Sequence, residues 1–175
     1  VRGNEAYVLF QALATGHGGM CTMHAESVDS AIKRLTSKPM DIAAAYIPLM
    51  NVIGVVHRVH LQKTGDVRVS RRMTSVEEVL DYDKYKSVFK WKPPTDAFNP
   101  APEKSSVFSN ISKHLGVDEQ VLLEEYERRK NVLGWMRSKN IRSYKDVANT
   151  ITEYYSRPKE FYERRVADYV ANQQP

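Results

Sequence analysis

Apolar residues recur along the chain with two periods, and the change between them sets out the elements. Ala6, Leu9, Phe10 and Leu13 fall on one side of a helical projection, which predicts a helix over 4–14 with Asn4 as its N-cap, Glu5 at its positive start and Gly16 just past its end. Val28, Ala31, Ile32 and Leu35 predict a second helix over 27–37 that stops ahead of Pro39. Between them, 18–24 reads as a short buried strand. A short helix is expected over 43–50. The β-rich run 52–61 is followed by turn chemistry at Lys63-Thr64-Gly65-Asp66, and alternation at 67–70 suggests a hairpin across Gly65. Thr74-Ser75-Val76-Glu77 has capping-box form and leaves helix and strand open, while 87–91 reads as one more strand.

Four prolines between Lys92 and Pro102 exclude a helix interior and a central strand there. The expected organisation is a first domain over 1–92, a Pro-rich linker over 93–103 and a helical region over 104–175. Its helices are expected over 105–115, 118–139 and from the Ser143 cap through Tyr155, and a last one carries Phe161, Tyr162, Val166, Tyr169 and Val170.

Composition narrows the function classes. Net charge is +5 over 175 residues, but the cations are spread over both halves, so no clustered footprint for a nucleic-acid backbone is expected. Lys84, Lys86, Lys90 and Lys92 form one local cluster, which alternation would place on a single face of a lysine-guarded edge strand. The most apolar stretch, 42–56, is broken by Pro48 and Asn51 and falls short of the ~20 residues a membrane helix needs. A lone cysteine, Cys21, excludes an internal disulfide and points to the cytosol. Cys21-x-x-His24 and His57-x-x-His60 have metal-like spacing, but on strands residues three apart face opposite ways, so no metal site is expected. No Gly-x-Ser-x-Gly elbow occurs.

One order of short motifs is more specific. Val1-Arg2-Gly3-Asn4-Glu5-Ala6 is followed by Thr15-Gly16-His17-Gly18-Gly19, then by Thr22-Met23-His24-Ala25 and Arg34-Leu35-Thr36. Arg71-Arg72-Met73, Val88-Phe89-Lys90-Trp91, Leu133-Gly134-Trp135-Met136 and Glu153-Tyr154-Tyr155 come after. This succession resembles the secretion-type ATPases that drive type II secretion, type IV pili and the archaeal archaellum. The first box resembles the segment after the family's Walker B strand, and the second resembles its histidine box. Gly3 stands where bacterial relatives usually have Asp, and the bacterial four-cysteine zinc site is absent. Both departures lean towards the archaeal branch.

The resemblance implies an α/β fold: the C-terminal part of a RecA-like P-loop ATPase domain with a mixed sheet, followed by a helical subdomain. It implies ATP and Mg2+ as cofactors, bound mainly through upstream residues, because the family's phosphate loop and catalytic Glu precede the segment matching Val1. The chain alone is therefore expected to be inactive. His24, Arg2 and Glu5 are the implied catalytic residues; His17, Arg34, Arg71 and Arg72 are the implied nucleotide contacts. In an open α/β sheet ligands bind beyond the strands' carboxyl ends, where His24 would sit. Phosphoryl transfer needs positioned positive charge, which suits the arginines. The implied partners are a homo-hexamer and a polytopic membrane platform protein, with no nucleic acid and no transmembrane segment. The implied location is the cytoplasm, peripheral at the inner face of the cell membrane. The alternative reading is a non-catalytic adaptor or nucleic-acid-binding module.

Overall fold

The structure, a computed structural model, describes residues 1–63 and 66–173. Two compact units are present, Val1–Ile111 and the residues from Ser112 onward, with the division falling inside a helix.

Helices α1 (Asn4–Ala14) and α2 (Val28–Thr36) open the first unit. The α2 start is capped by Ser27, whose hydroxyl accepts the Ser30 amide. The cap position of α1 is Gly3, not Asn4; it has φ 51° and gives no side-chain cap, a backbone angle that glycine reaches without strain. After α2 come a 3-10 helix over Ala44–Met50 and four strands, β1 (Val52–Lys63), β2 (Asp66–Asp81), β3 (Lys84–Lys92) and β4 (Ala97–Pro100).

The strands pair in the order β1-β2-β3-β4, antiparallel throughout, where a mixed sheet was expected. Consecutive strands joined by short connections favour that arrangement, since parallel pairing needs a long crossover. The turn expected at Gly65 falls on residues 64 and 65, outside the described residues, although Lys63 pairs with Asp66 on either side of it. The capping-box sequence at Thr74 lies within β2. Ala6, Phe10, Val28, Ile32, Leu35, Met40, Ile42, Ile47 and Val79 are buried together, with Ile53, Val55 and Tyr85 of the sheet packed against them.

Two further expectations are corrected, one of them in part. Residues 18–24 do not form a strand; they are irregular and mostly exposed, because a strand needs a neighbour and the described residues provide none. The segment instead runs over α1, where a Cβ on Gly19 would lie 3.2 Å from Leu9 Cδ1 and 3.3 Å from Leu13 Cδ2. The lysine-bearing strand β3 is an edge only in part: β4 pairs with residues 89–92, and the stretch carrying Lys84 and Lys86 has no β4 partner among the described residues. Within 93–103, β4 pairs with β3 and Asp96 accepts from Arg72 of β2.

Helix α3 (Ser106–Leu115) begins on the sheet of the first unit. Glu78, 2% exposed, accepts hydrogen bonds from the Ser105 hydroxyl and, at 2.6 Å, from the Ser106 amide. A carboxylate there satisfies donors that the helix start cannot, and it complements the helix dipole.

The second unit contains α4 (Glu119–Ser138), α5 (Tyr144–Ser156), α6 (Pro158–Phe161), a π-helical turn over Tyr162–Val166 and α7 (Ala167–Ala171). Asp118 and Ser143 cap α4 and α5 by accepting the Gln120 and Asp146 amides. Val132, Trp135, Met136, Tyr154, Phe161 and Val166 form its core, with Trp135 and Tyr154 edge-on to the Phe161 ring at 5.7 and 5.8 Å. The wide turn brings Phe161 and Val166, five residues apart, to the same buried side. Among the described residues, no helix is long and apolar enough to cross a membrane.

Candidate functional site

Arg2, His24 and Arg34 meet. They line one shallow depression of about 240 Å3 with Val1, Thr22 and Met23. Three stretches build it: the turn entering α1, the irregular run after Gly19, and the last turn of α2. The Val1 nitrogen donates to the Thr22 carbonyl at 2.6 Å, which fixes the first stretch against the second. Arg34 Nη1 donates to the His24 carbonyl at 2.9 Å, which fixes the second against the third. The Arg2 amide lies 3.4 Å from Glu5 Oε2, so Glu5 closes the turn through which Arg2 approaches.

Among the described residues, neither the Arg2 nor the Arg34 guanidinium has an ion pair. Two planar cations at one exposed depression are chemically suited to an oxyanion, although the Glu5 carboxylate lies beside the Arg2 amide. The volume limits what fits. Sites for whole drug-sized ligands run to ~300–1,000 Å3, so a depression of about 240 Å3 has room for small groups such as phosphate.

The other expected site residues lie elsewhere or are otherwise engaged. His17 is exposed, with Nδ1 3.1 Å from the Thr15 hydroxyl, and does not line the depression. Arg71 is exposed on β2 directly opposite Arg58 of β1. Arg72 is held by Asp96 through two 2.7 Å hydrogen bonds, and Trp91 Nε1 donates to the same carboxylate at 2.9 Å. The bond to Asp96 raises the Arg72 pKa, against partial desolvation. That guanidinium secures the β3–β4 turn to β2. Among the described residues, no three His, Cys, Asp or Glu side chains are placed to hold a metal ion.

Sequence reading passed over one residue near the site. His57, weighed only for its spacing to His60, reaches the loop after His24: its Nε2 lies 3.0 Å from the Glu26 carbonyl. The two residues are 31 apart, and no local period reports such a pairing.

No family model matches this sequence. Among curated proteins, it is similar to three from the archaeon Methanocaldococcus jannaschii. Uncharacterized protein MJ1287 is 32% identical over 160 residues, which is 88% of this chain and 57% of that protein. Uncharacterized protein MJ0900 is 30% identical over 166 residues, 90% of this chain and 29% of that protein. Uncharacterized protein MJ0781 is 25% identical over 148 residues, 79% of this chain and 19% of that protein. The chain thus spans little more than half of one relative and under a third of the other two.

Proposed function

We propose that this chain is the C-terminal part of a hexameric, ATP-hydrolysing motor of the secretion superfamily, powering protein secretion or archaellum or type IV pilus assembly. The observation that carries the reading is the convergence of Arg2, His24 and Arg34, distant in sequence, on one depression of phosphate size. In this reading the antiparallel sheet with α1 and α2 belongs to a RecA-like P-loop ATPase domain. The archaeal origin of the similar proteins supports the archaeal lean. A membrane platform protein as partner, and a place at the inner face of the cell membrane, follow from the same reading.

ATP supplies the transferable phosphoryl group. The chain's own part is electrostatic: Arg2 and Arg34 offset phosphate charge, and His24 offers an imidazole at the rim for an oxygen or a water. Glu5 holds the Arg2 turn. Among the described residues no three His, Cys, Asp or Glu side chains are placed to hold a metal ion, and in this reading Mg2+ would be held mainly by residues outside this segment and by the phosphates. The 175 residues contain no Gly-x-x-x-x-Gly-Lys-Ser/Thr sequence, so the phosphate loop would come from outside them.

The purified chain, assayed for Mg-ATP binding and turnover, tests this. Weak binding without turnover is the expected result. Robust turnover contradicts the reading, because it demands a nucleotide site unlike the one described. In a turnover-competent protein carrying this segment, His24→Ala should lower kcat far more than ATP affinity. The alternative, a non-catalytic adaptor, predicts that Arg2 and His24 are dispensable while changes in the second unit abolish partner binding.

A further inference from the structure

The loop that carries His24 has no strand pairing to hold it, yet two of its carbonyls are fixed by side chains from different elements. Arg34 of α2 donates to the His24 carbonyl at 2.9 Å. His57 of β1 lies with Nε2 3.0 Å from the Glu26 carbonyl and Nδ1 3.1 Å from the Thr74 hydroxyl. A carbonyl only accepts, so Nε2 carries the hydrogen and donates it to Glu26. Thr74 then fixes the other edge of the ring; its hydroxyl also lies 3.3 Å from the Val55 carbonyl.

Thr74 occupies a special place in the sheet. Val55 pairs with Ser75 and Val56 with Met73, so Thr74 is the extra residue of a β-bulge. Bulges re-aim side chains, and this one sets a hydroxyl against an imidazole on the neighbouring strand. Without the bulge, Thr74 would be paired in register with a residue of β1.

We infer that His57 is a positioning residue of the phosphate site: oriented by Thr74, it holds the loop through the Glu26 carbonyl and so sets where His24 stands against Arg2 and Arg34. The inference rests on the phosphate reading of that depression. His57 does not line the depression and touches no ligand itself. Its action runs through the backbone of residues 24–26.

The test is a titration of the full chain with inorganic pyrophosphate, following the amide and imidazole NMR signals of residues 22–26. Wild type is compared with His57→Phe, His57→Gln and Thr74→Val. His57→Phe keeps a flat ring but no ring nitrogen. It is expected to displace the signals of residues 24–26 and to weaken pyrophosphate binding about two- to tenfold, the range of one net hydrogen bond. His57→Gln, whose side-chain amide can still donate to the Glu26 carbonyl, is expected to recover most of the loss, and Thr74→Val to fall between. Unmoved signals in both His57→Phe and Thr74→Val overturn the inference. So do displaced signals with unchanged affinity, because His57 would then be structural only. No pyrophosphate binding by the wild type overturns the phosphate reading itself, a result distinct from binding that is indifferent to His57. Should His57→Phe fail to fold, Thr74→Val decides the question by the same two readouts, signal displacement and affinity.

Discussion

The two units differ in how they employ arginine. In the second, Arg128, Arg129, Arg157, Arg164 and Arg165 are ion-paired, two of them to Glu125 and two to Glu160, while Arg137 and Arg142 have no ion pair among the described residues. In the first, Arg2 and Arg34 reach one depression and their guanidinium groups have no ion pair among the described residues. Arg58 and Arg71, elsewhere on the unit, have none either, while Arg72 is locked to Asp96. Paired arginines are already neutralised by the fold. Among the arginines without an ion pair, Arg2 and Arg34 are the two that line one depression, and their placement there, more than net charge or pairing alone, singles them out.

The contrast can be broken or sharpened by substitution. The largest effect belongs to packing: Trp135→Ala empties the centre of the second core and should cost about 3–5 kcal/mol, read as a fall in the urea midpoint. Next comes the Glu125 hub. Burial disfavours its charge, but hydrogen bonds from Arg129, Arg128 and Tyr154 prevail and hold its carboxyl below the ordinary value of 4.5. A depressed folded value means that the stabilisation is complete above the ordinary carboxylate range and is lost as pH falls through the folded value. Glu125→Gln should therefore cost about 1–2 kcal/mol at neutral pH and flatten the acid limb of a stability–pH curve. A wild-type curve that is level below pH ~4.5 would remove the hub from the account.

Smaller effects address the contrast directly. Arg34→Ala should weaken pyrophosphate binding roughly tenfold, the low end for a charge-assisted hydrogen bond at an exposed site, and the wild-type affinity should fall with added salt. Arg164→Ala, which removes an exposed paired arginine, should change stability by under ~0.5 kcal/mol and leave pyrophosphate binding unaltered. Equal losses from both changes would mean that pairing does not separate the two sets.

Much of this was readable from the sequence, and the limits have physical causes. Asp118 and Ser143 were recognisable as caps because capping is local: each accepts an amide two or three residues on. The helical faces were equally plain, with Val28, Ala31, Ile32 and Leu35 all buried. Residues 18–24 failed because a strand is defined by its neighbour, and an apolar run does not report whether one exists. Asp96 failed for a related reason: its prolines signalled a break, but its bond to Arg72 spans 24 residues. Arg2, His24 and Arg34 were chosen as candidates from motif order, and their meeting became visible only in three dimensions. Arg71 and Arg72 matched a motif equally well, yet one is opposite Arg58 and the other is consumed by Asp96.

The central claim is that Arg2, His24 and Arg34 form a receptor for phosphate groups. Titrating the 175-residue chain with ATP while mapping amide NMR shifts tests it most directly. The account predicts shifts concentrated at Arg2, residues 22–24 and Arg34, and moved to roughly tenfold higher ATP concentration by Arg34→Ala. Shifts concentrated in the second unit, or none at any attainable ATP concentration, would contradict it.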